Sequence, residues 1–145
     1  MRRGGRTAVL AAVFAALVLS ACSNREATVN KRPQSGSATA SMVNGVQQVI
    51  LRSGVDLRFH PSTITVHPGK VRVILMNTAK PGAGPPHNVQ APKLPGLTIP
   101  LIPAGGSGEA VFNAPSPGRY SFVCTIHAAQ GQYGLLIVKP LSEKP

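Results

Sequence analysis

The sequence predicts an all-β fold, a Greek-key sandwich or barrel of seven to eight short strands, and three observations predict it. Apolar residues come in short runs rich in β-branched side chains, Pro-Gly and Gly-Lys turn signals punctuate them, and no run sustains a helical period. The runs fall at 46–51, 55–59, 63–67, 71–76, 88–91, 108–112, 119–124 and 135–139. His67-Pro68-Gly69-Lys70 and Ser116-Pro117-Gly118 supply the φ restriction and left-handed freedom that hairpins and sheet crossings need. Strands at this spacing bury one face each and pair into a sandwich or barrel.

The chain has 145 residues, and its ends do not share that pattern. Arg2, Arg3 and Arg6 precede an uncharged apolar run from Thr7 to Leu19, too short to span a bilayer. This reads as a secretory signal over 1–21. It ends in Leu19-Ser20-Ala21-Cys22, which resembles a bacterial lipobox and implies a lipoprotein with a diacylglyceryl group on Cys22 and cleavage before it. From 22 to 44 the sequence is Ser, Thr, Asn, Gln, Ala and Gly with few large apolar residues, and is expected to act as a flexible tether. About 20 such residues span ~25 Å on average, enough to lift a domain off a membrane. Residues 45–145 remain, the size of one domain with one core. There are no internal repeats.

Loss of the signal removes three arginines and no acid, so the formal charge falls from +11 to +8. A strongly basic exported domain suits an anionic membrane surface or an acidic redox protein partner. Nucleic acid is excluded by the export signal, the dispersed cations and the absence of any binding motif. The expected location is a membrane lipid anchor on the extracytoplasmic face: the outer surface, or the periplasm or outer membrane in a Gram-negative cell. The domain is expected to be a monomer.

With Cys22 lipidated, Cys124 is the one remaining thiol, in a compartment that permits disulfides. It stands in the run from Gly118 through Arg119-Tyr120-Ser121-Phe122-Val123-Cys124 to Thr125-Ile126-His127. A strand delivers Cys124, a tight loop carries His127, and a second strand leaves. His87 opens another extended segment after Pro85-Pro86. One thiolate and two imidazoles in a near-trigonal plane, with one weak axial donor, suit copper cycling between Cu(I) and Cu(II): sulfur favours Cu(I) and imidazole accepts both. His60 and His67 each precede a proline and are expected to face solvent, outside the ligand set.

Pro86-His87-Asn88, Gly-x-Tyr-x-Phe-x-Cys ending at Cys124, and Cys-x2-His-x4-Gln with Gly134 beyond resemble the cupredoxin family of blue copper proteins. The resemblance covers roughly 46–139 and includes Phe59-x-Pro61-x-Thr63-Ile64-x-Val66, which is only a sheet signature. It implies one copper per chain, held by His87, Cys124 and His127, with Asn88 and Thr125 tying the two ligand loops together. It also implies electron exit through the edge of His127, among Ala128, Ala129 and Pro86. The departure is axial: plastocyanin-like members with this spacing carry methionine, whereas this chain has Gln132, as in the stellacyanin variant. An amide oxygen is harder than a thioether and should favour Cu(II), lowering the reduction potential. Gln130 would take the axial place in a shorter, amicyanin-like loop; the Gly131-Gln132-Tyr133-Gly134 frame favours Gln132, and a site in which neither amide coordinates stays open.

The expected function is therefore one-electron transfer by a mononuclear copper site, with copper capture, storage or delivery as the alternative. An enzyme is not expected. A Cys124/His127 nucleophile pair would need an orienting acid, and Glu26, Asp56, Glu109 and Glu143 are the whole supply. Multicopper chemistry needs more than four histidines.

Overall fold

A computed structural model of the protein describes residues 35–141. The signal segment, Cys22 and most of the expected tether lie outside the described residues.

Ten strands build two sheets: β1 (Ser37–Thr39), β2 (Ser41–Val43), β3 (Val46–Ser53), β4 (Thr63–Val66), β5 (Gly69–Asn77), β6 (His87–Gln90), β7 (Thr98–Ile102), β8 (Ser107–Ala114), β9 (Gly118–Val123) and β10 (Tyr133–Val138). One sheet has the order β1-β4-β10-β9-β6-β7 and the other β2-β3-β5-β8. Strict alternation along β3, β4, β5 and β10 sends every second side chain inward, so the sheets face each other across a core that includes Val49, Leu51, Ile64, Val73, Leu75 and Leu136. Phe59 and Phe122 meet in that core with ring centroids 5.3 Å apart.

The all-β sandwich agrees with the sequence reading, but the strand count is ten rather than seven to eight, and three elements differ. The expected tether ends too late. Residues 37–43 form β1, which pairs in parallel with β4, and β2, which pairs antiparallel with β3. Their Ser- and Thr-rich sequence has little burial to offer, and they gain order by adding to the edges of sheets that already exist. Asn44-Gly45, with φ of 49° and 77°, is the two-residue turn that joins β2 to β3, and the 44/45 boundary cut through it. The expected strand at 55–59 is instead a turn and an irregular approach to the core. Leu57 N–H bonds the Gly54 carbonyl at 3.1 Å, Leu57 sits at φ 55°, and Val55 points to solvent while Phe59 is buried. The unforeseen strand is β7, whose Pro100 argues against a central strand. It is tolerated because β7 is the sheet edge and its register with β6 is broken between His87↔Ile102 and Val89↔Ile99.

Candidate metal centre

The end of β3, the start of β6 and the loop from β9 to β10 bring together side chains from three distant parts of the chain. Cys124 follows the last residue of β9 as that strand leaves the core. His127 N–H then bonds the Cys124 carbonyl at 3.2 Å, a single 3₁₀ turn spans Ala128–Gln130, and Gln132 N–H returns to the His127 carbonyl at 3.1 Å. Cys124 N–H bonds the Gln132 carbonyl at 3.0 Å, closing the loop at its base before β10 begins. The loop is therefore a rigid, hydrogen-bonded unit in which a Cys, a His and a Gln point the same way.

His87 is the first residue of β6, and the segment before it is fixed from beneath. Buried Asn77, at the end of β5, donates through Nδ2 to the Pro85 carbonyl at 2.8 Å and the Ile102 carbonyl at 3.1 Å, and accepts Ala79 N–H at 3.1 Å. Asn88, next in β6, donates Nδ2 to Thr125 Oγ1 at 2.9 Å and accepts Thr125 N–H at 2.8 Å. That pair ties the His87 strand to the Cys124 loop.

The ligand atoms of His87, Cys124 and His127 all lie within 4.8 Å of one another. Cys124 Sγ is 3.4 Å from His127 Nδ1. Gln132 Oε1 stands 3.0 Å from His87 Nδ1 and 3.0 Å from His127 Nδ1, so the amide oxygen faces both imidazoles. His87, Cys124 and Gln132 are 0% exposed, and His127 is half-buried. Gln130 is exposed on the 3₁₀ turn, whereas Gln132 is buried with its amide oxygen against both imidazoles.

Two residues that the sequence reading passed over complete the surroundings. The Gly54 carbonyl lies 3.0 Å from His87 Nε2, and Ser53 Oγ accepts a short hydrogen bond from Gln132 Nε2. Gly54 has no room for a side chain: a Cβ there would come within 2.9 Å of Thr78 Oγ1. Only the run of β3 into a glycine hinted at a special position. His60 and His67 stay outside the cluster, His60 exposed and paired with Asp56 at 2.5 Å, His67 with Nδ1 on the Lys139 and Pro140 carbonyls at 3.2 and 3.1 Å.

The proton count at His87 tests the fit to a cation. A neutral imidazole has one N–H, yet His87 meets an acceptor at each nitrogen, the Gly54 carbonyl at Nε2 and Gln132 Oε1 at Nδ1. Imidazolium would satisfy both, but burial, and then the neighbouring His127, push the His87 pKa below 6.5 against the opposing pull of Gln132. With the proton on Nε2, the Nδ1 lone pair and the amide oxygen face each other, beside a second imidazole and a thiol. Two ring nitrogens, a thiol sulfur and an amide oxygen turned toward one another are a donor set that a metal ion would complete, and one soft sulfur with two imidazoles suits copper.

A β-sandwich carrying two imidazoles and a thiol at one end is a scaffold able to hold a single metal ion. The chain belongs to the cupredoxin-like domain family, whose sequence profile matches residues 9–138. Among solved structures, the fold is similar to auracyanin from Roseiflexus castenholzii, at 24% identity over 64% of this chain and 97% of that one, TM-score 0.54. It is also similar to the metal-binding domain of the Streptococcus pneumoniae D39 Cu(I)-exporting P-type ATPase, at 19% identity over 74% and 99%, TM-score 0.58. A third likeness is to auracyanin A, a blue copper protein from Chloroflexus aurantiacus, at 20% identity over 66% and 100%, TM-score 0.54. No curated protein matches by sequence. Fold and donor set together fit one copper ion.

Proposed function

We propose that the protein is a one-electron carrier, exported and held at the extracytoplasmic face of a membrane by lipid on Cys22. Bound copper would supply exchange between Cu(I) and Cu(II). His87 and His127 would hold it through Nδ1, Cys124 through its thiolate, and Gln132 through Oε1. The observation that carries the reading is the convergence of the His87, Cys124 and His127 donor atoms within 4.8 Å, with Gln132 Oε1 facing both imidazoles.

The chain's own residues would do the rest. Cys124 would hold the metal as its thiolate, and its full burial keeps water and oxidants from the sulfur. With Nδ1 on the metal, His87 would carry its proton on Nε2 and donate it to the Gly54 carbonyl at 3.0 Å. Asn88 and Thr125 hold the two ligand loops in one geometry, which limits rearrangement between oxidation states. His127, half-buried beside exposed Ile126, Ala128 and Ala129, offers the edge through which a partner would exchange electrons. Basic charge favours an acidic redox protein, met by a monomer.

Cys124 Sγ and His127 Nδ1, 3.4 Å apart, have no carboxylate beside them among the described residues to orient the imidazole as a base. Of the acids among the described residues, Asp56 engages His60 and Glu109 lies 3.8 Å from Arg72. Copper delivery is the second reading, and the domain of the copper-exporting ATPase has the same fold with Cu(I). Burial of three of the four donors favours retention over exchange.

The test is addition of one equivalent of Cu(II) to the full chain and to Cys124→Ala. Electron transfer predicts an intense blue thiolate-to-copper band with narrow hyperfine splitting in the wild type, absent from Cys124→Ala. Uptake of Cu(I) alone, or binding without that band, would move the assignment to copper handling.

A further inference from the structure

Gln132 differs from the other donors in having two chemically unlike ends. Its amide oxygen carries lone pairs, whereas its NH₂ group has only protons to present and cannot bind a cation. Both ends are buried, so neighbouring groups rather than solvent fix where the amide stands and which end faces the imidazoles. The terminal sp³–sp² torsion is broad and does not decide it.

We propose that Ser53 anchors the NH₂ end of Gln132, making it a positioning residue for the amide donor; this rests on the reading of Gln132 as a ligand. Ser53 Oγ accepts from Gln132 Nε2 across 79 residues of sequence, with Oε1 toward His87 and His127, each at 3.0 Å. A serine hydroxyl donates as well as accepts, so Ser53 would also pair with a rotated amide: it fixes where the amide stands, while a bound cation, which the N–H protons cannot ligate, would fix which end faces the imidazoles.

Ser53 can exert this control because its own backbone cannot drift. It is the last residue of β3, in register with Asn77 of β5, and its carbonyl accepts both Thr78 N–H at 2.7 Å and Thr78 Oγ1–H at 3.0 Å. The next carbonyl, that of Gly54, meets His87 Nε2. One dipeptide clamped by Thr78 thus orients two donors, the imidazole through a carbonyl and the amide through a hydroxyl. The sequence holds no motif for it, since Ser53 lies far from both ligand segments.

The test is a double-mutant cycle of Ser53→Ala with Gln132→Met on the full chain, read by reduction potential and Cu(II) hyperfine splitting. Side-chain amide NMR of the metal-free and Cu(I) proteins accompanies it. Loss of the oxygen donor disfavours Cu(II), so Ser53→Ala should raise the potential, in the same direction as Gln132→Met. In the Gln132→Met background the serine has no amide to orient, and Ser53→Ala should leave potential and splitting unchanged. In the metal-free protein the Gln132 Nε2 protons should exchange about tenfold faster in Ser53→Ala, the loss of one buried hydrogen bond. An equal shift in both backgrounds would mean that the serine acts on the fold and not through the amide, and would overturn the inference. So would unchanged Gln132 amide protons. Failure of the copper reading shows separately, as a wild type without the thiolate band, and the inference falls with it.

Discussion

The two histidines of the cluster have opposite surroundings. His87 begins a strand, is fully buried, and has both ring nitrogens against acceptors anchored in the sandwich. His127 sits in a loop, half-buried, between exposed neighbours, with its ring 5.1 Å from that of His87. The same imidazole chemistry is thus used twice, once as a fixed part of the core and once as a window to solvent. An electron carrier needs both: a site that does not rearrange and one edge a partner can reach.

The sharpest way to break this comparison is to remove each ring. His87→Ala should destabilise the metal-free fold by about 3 kcal/mol, because it opens a cavity and strands the Gly54 carbonyl. His127→Ala should cost under about 1 kcal/mol, since a partly exposed loop residue leaves room for water. Both variants should lose the blue copper signal, and added imidazole should restore it only for His127→Ala, whose gap opens to solvent. Urea midpoints with visible absorption check both statements. Equal destabilisation, or rescue of His87→Ala, would erase the distinction.

A smaller effect is expected where the two halves are joined. Asn88→Ala removes the contacts of 2.9, 2.8 and 3.3 Å to exposed Thr125 and should reduce stability by about 1 kcal/mol. The blue band should survive while copper escapes faster to a chelator, because the ligands remain but their loops move independently. An unchanged release rate would show that the loops hold their geometry without the bridge.

How far the sequence reached follows the same division between local and distant contacts. The pattern ending at Cys124 and the spacing to His127 and Gln132 are local, so one loop and two strands could be read directly. His87-Asn88 was legible through its resemblance, and the hydrogen bonds to Thr125 give it a physical reason. Ser53, Gly54 and Asn77 were not legible. Their roles come from the β3–β5 register and from contacts across tens of residues, and a serine, a glycine and an asparagine at strand ends look like ordinary turn residues. The strands at 37–43 were hidden by their composition, although Asn44-Gly45 was a turn signal in plain view. The run at 55–59 misled because Val55, Leu57 and Phe59 alternate as a strand would, while Leu57 adopts a left-handed backbone.

The smallest effect concerns protons. Burial lowers the His87 pKa below 6.5, so the unfolded chain takes up that proton first as the pH falls. Between 6.5 and the folded value the unfolded state binds more protons, and the metal-free protein loses stability as the pH falls through that window. Urea midpoints between pH 7.5 and 5 should therefore decline in wild type and decline less in His87→Gln. A matching decline in both would assign the dependence to other groups.

The central claim is that the four donors are assembled in advance and hold copper without rearranging. Copper X-ray absorption on the full chain in both oxidation states tests it most directly. The account predicts one sulfur and two imidazole nitrogens in the inner shell of Cu(II) and Cu(I) alike, with only small changes in distance. A shell without sulfur, or one that loses an imidazole on reduction, would contradict it.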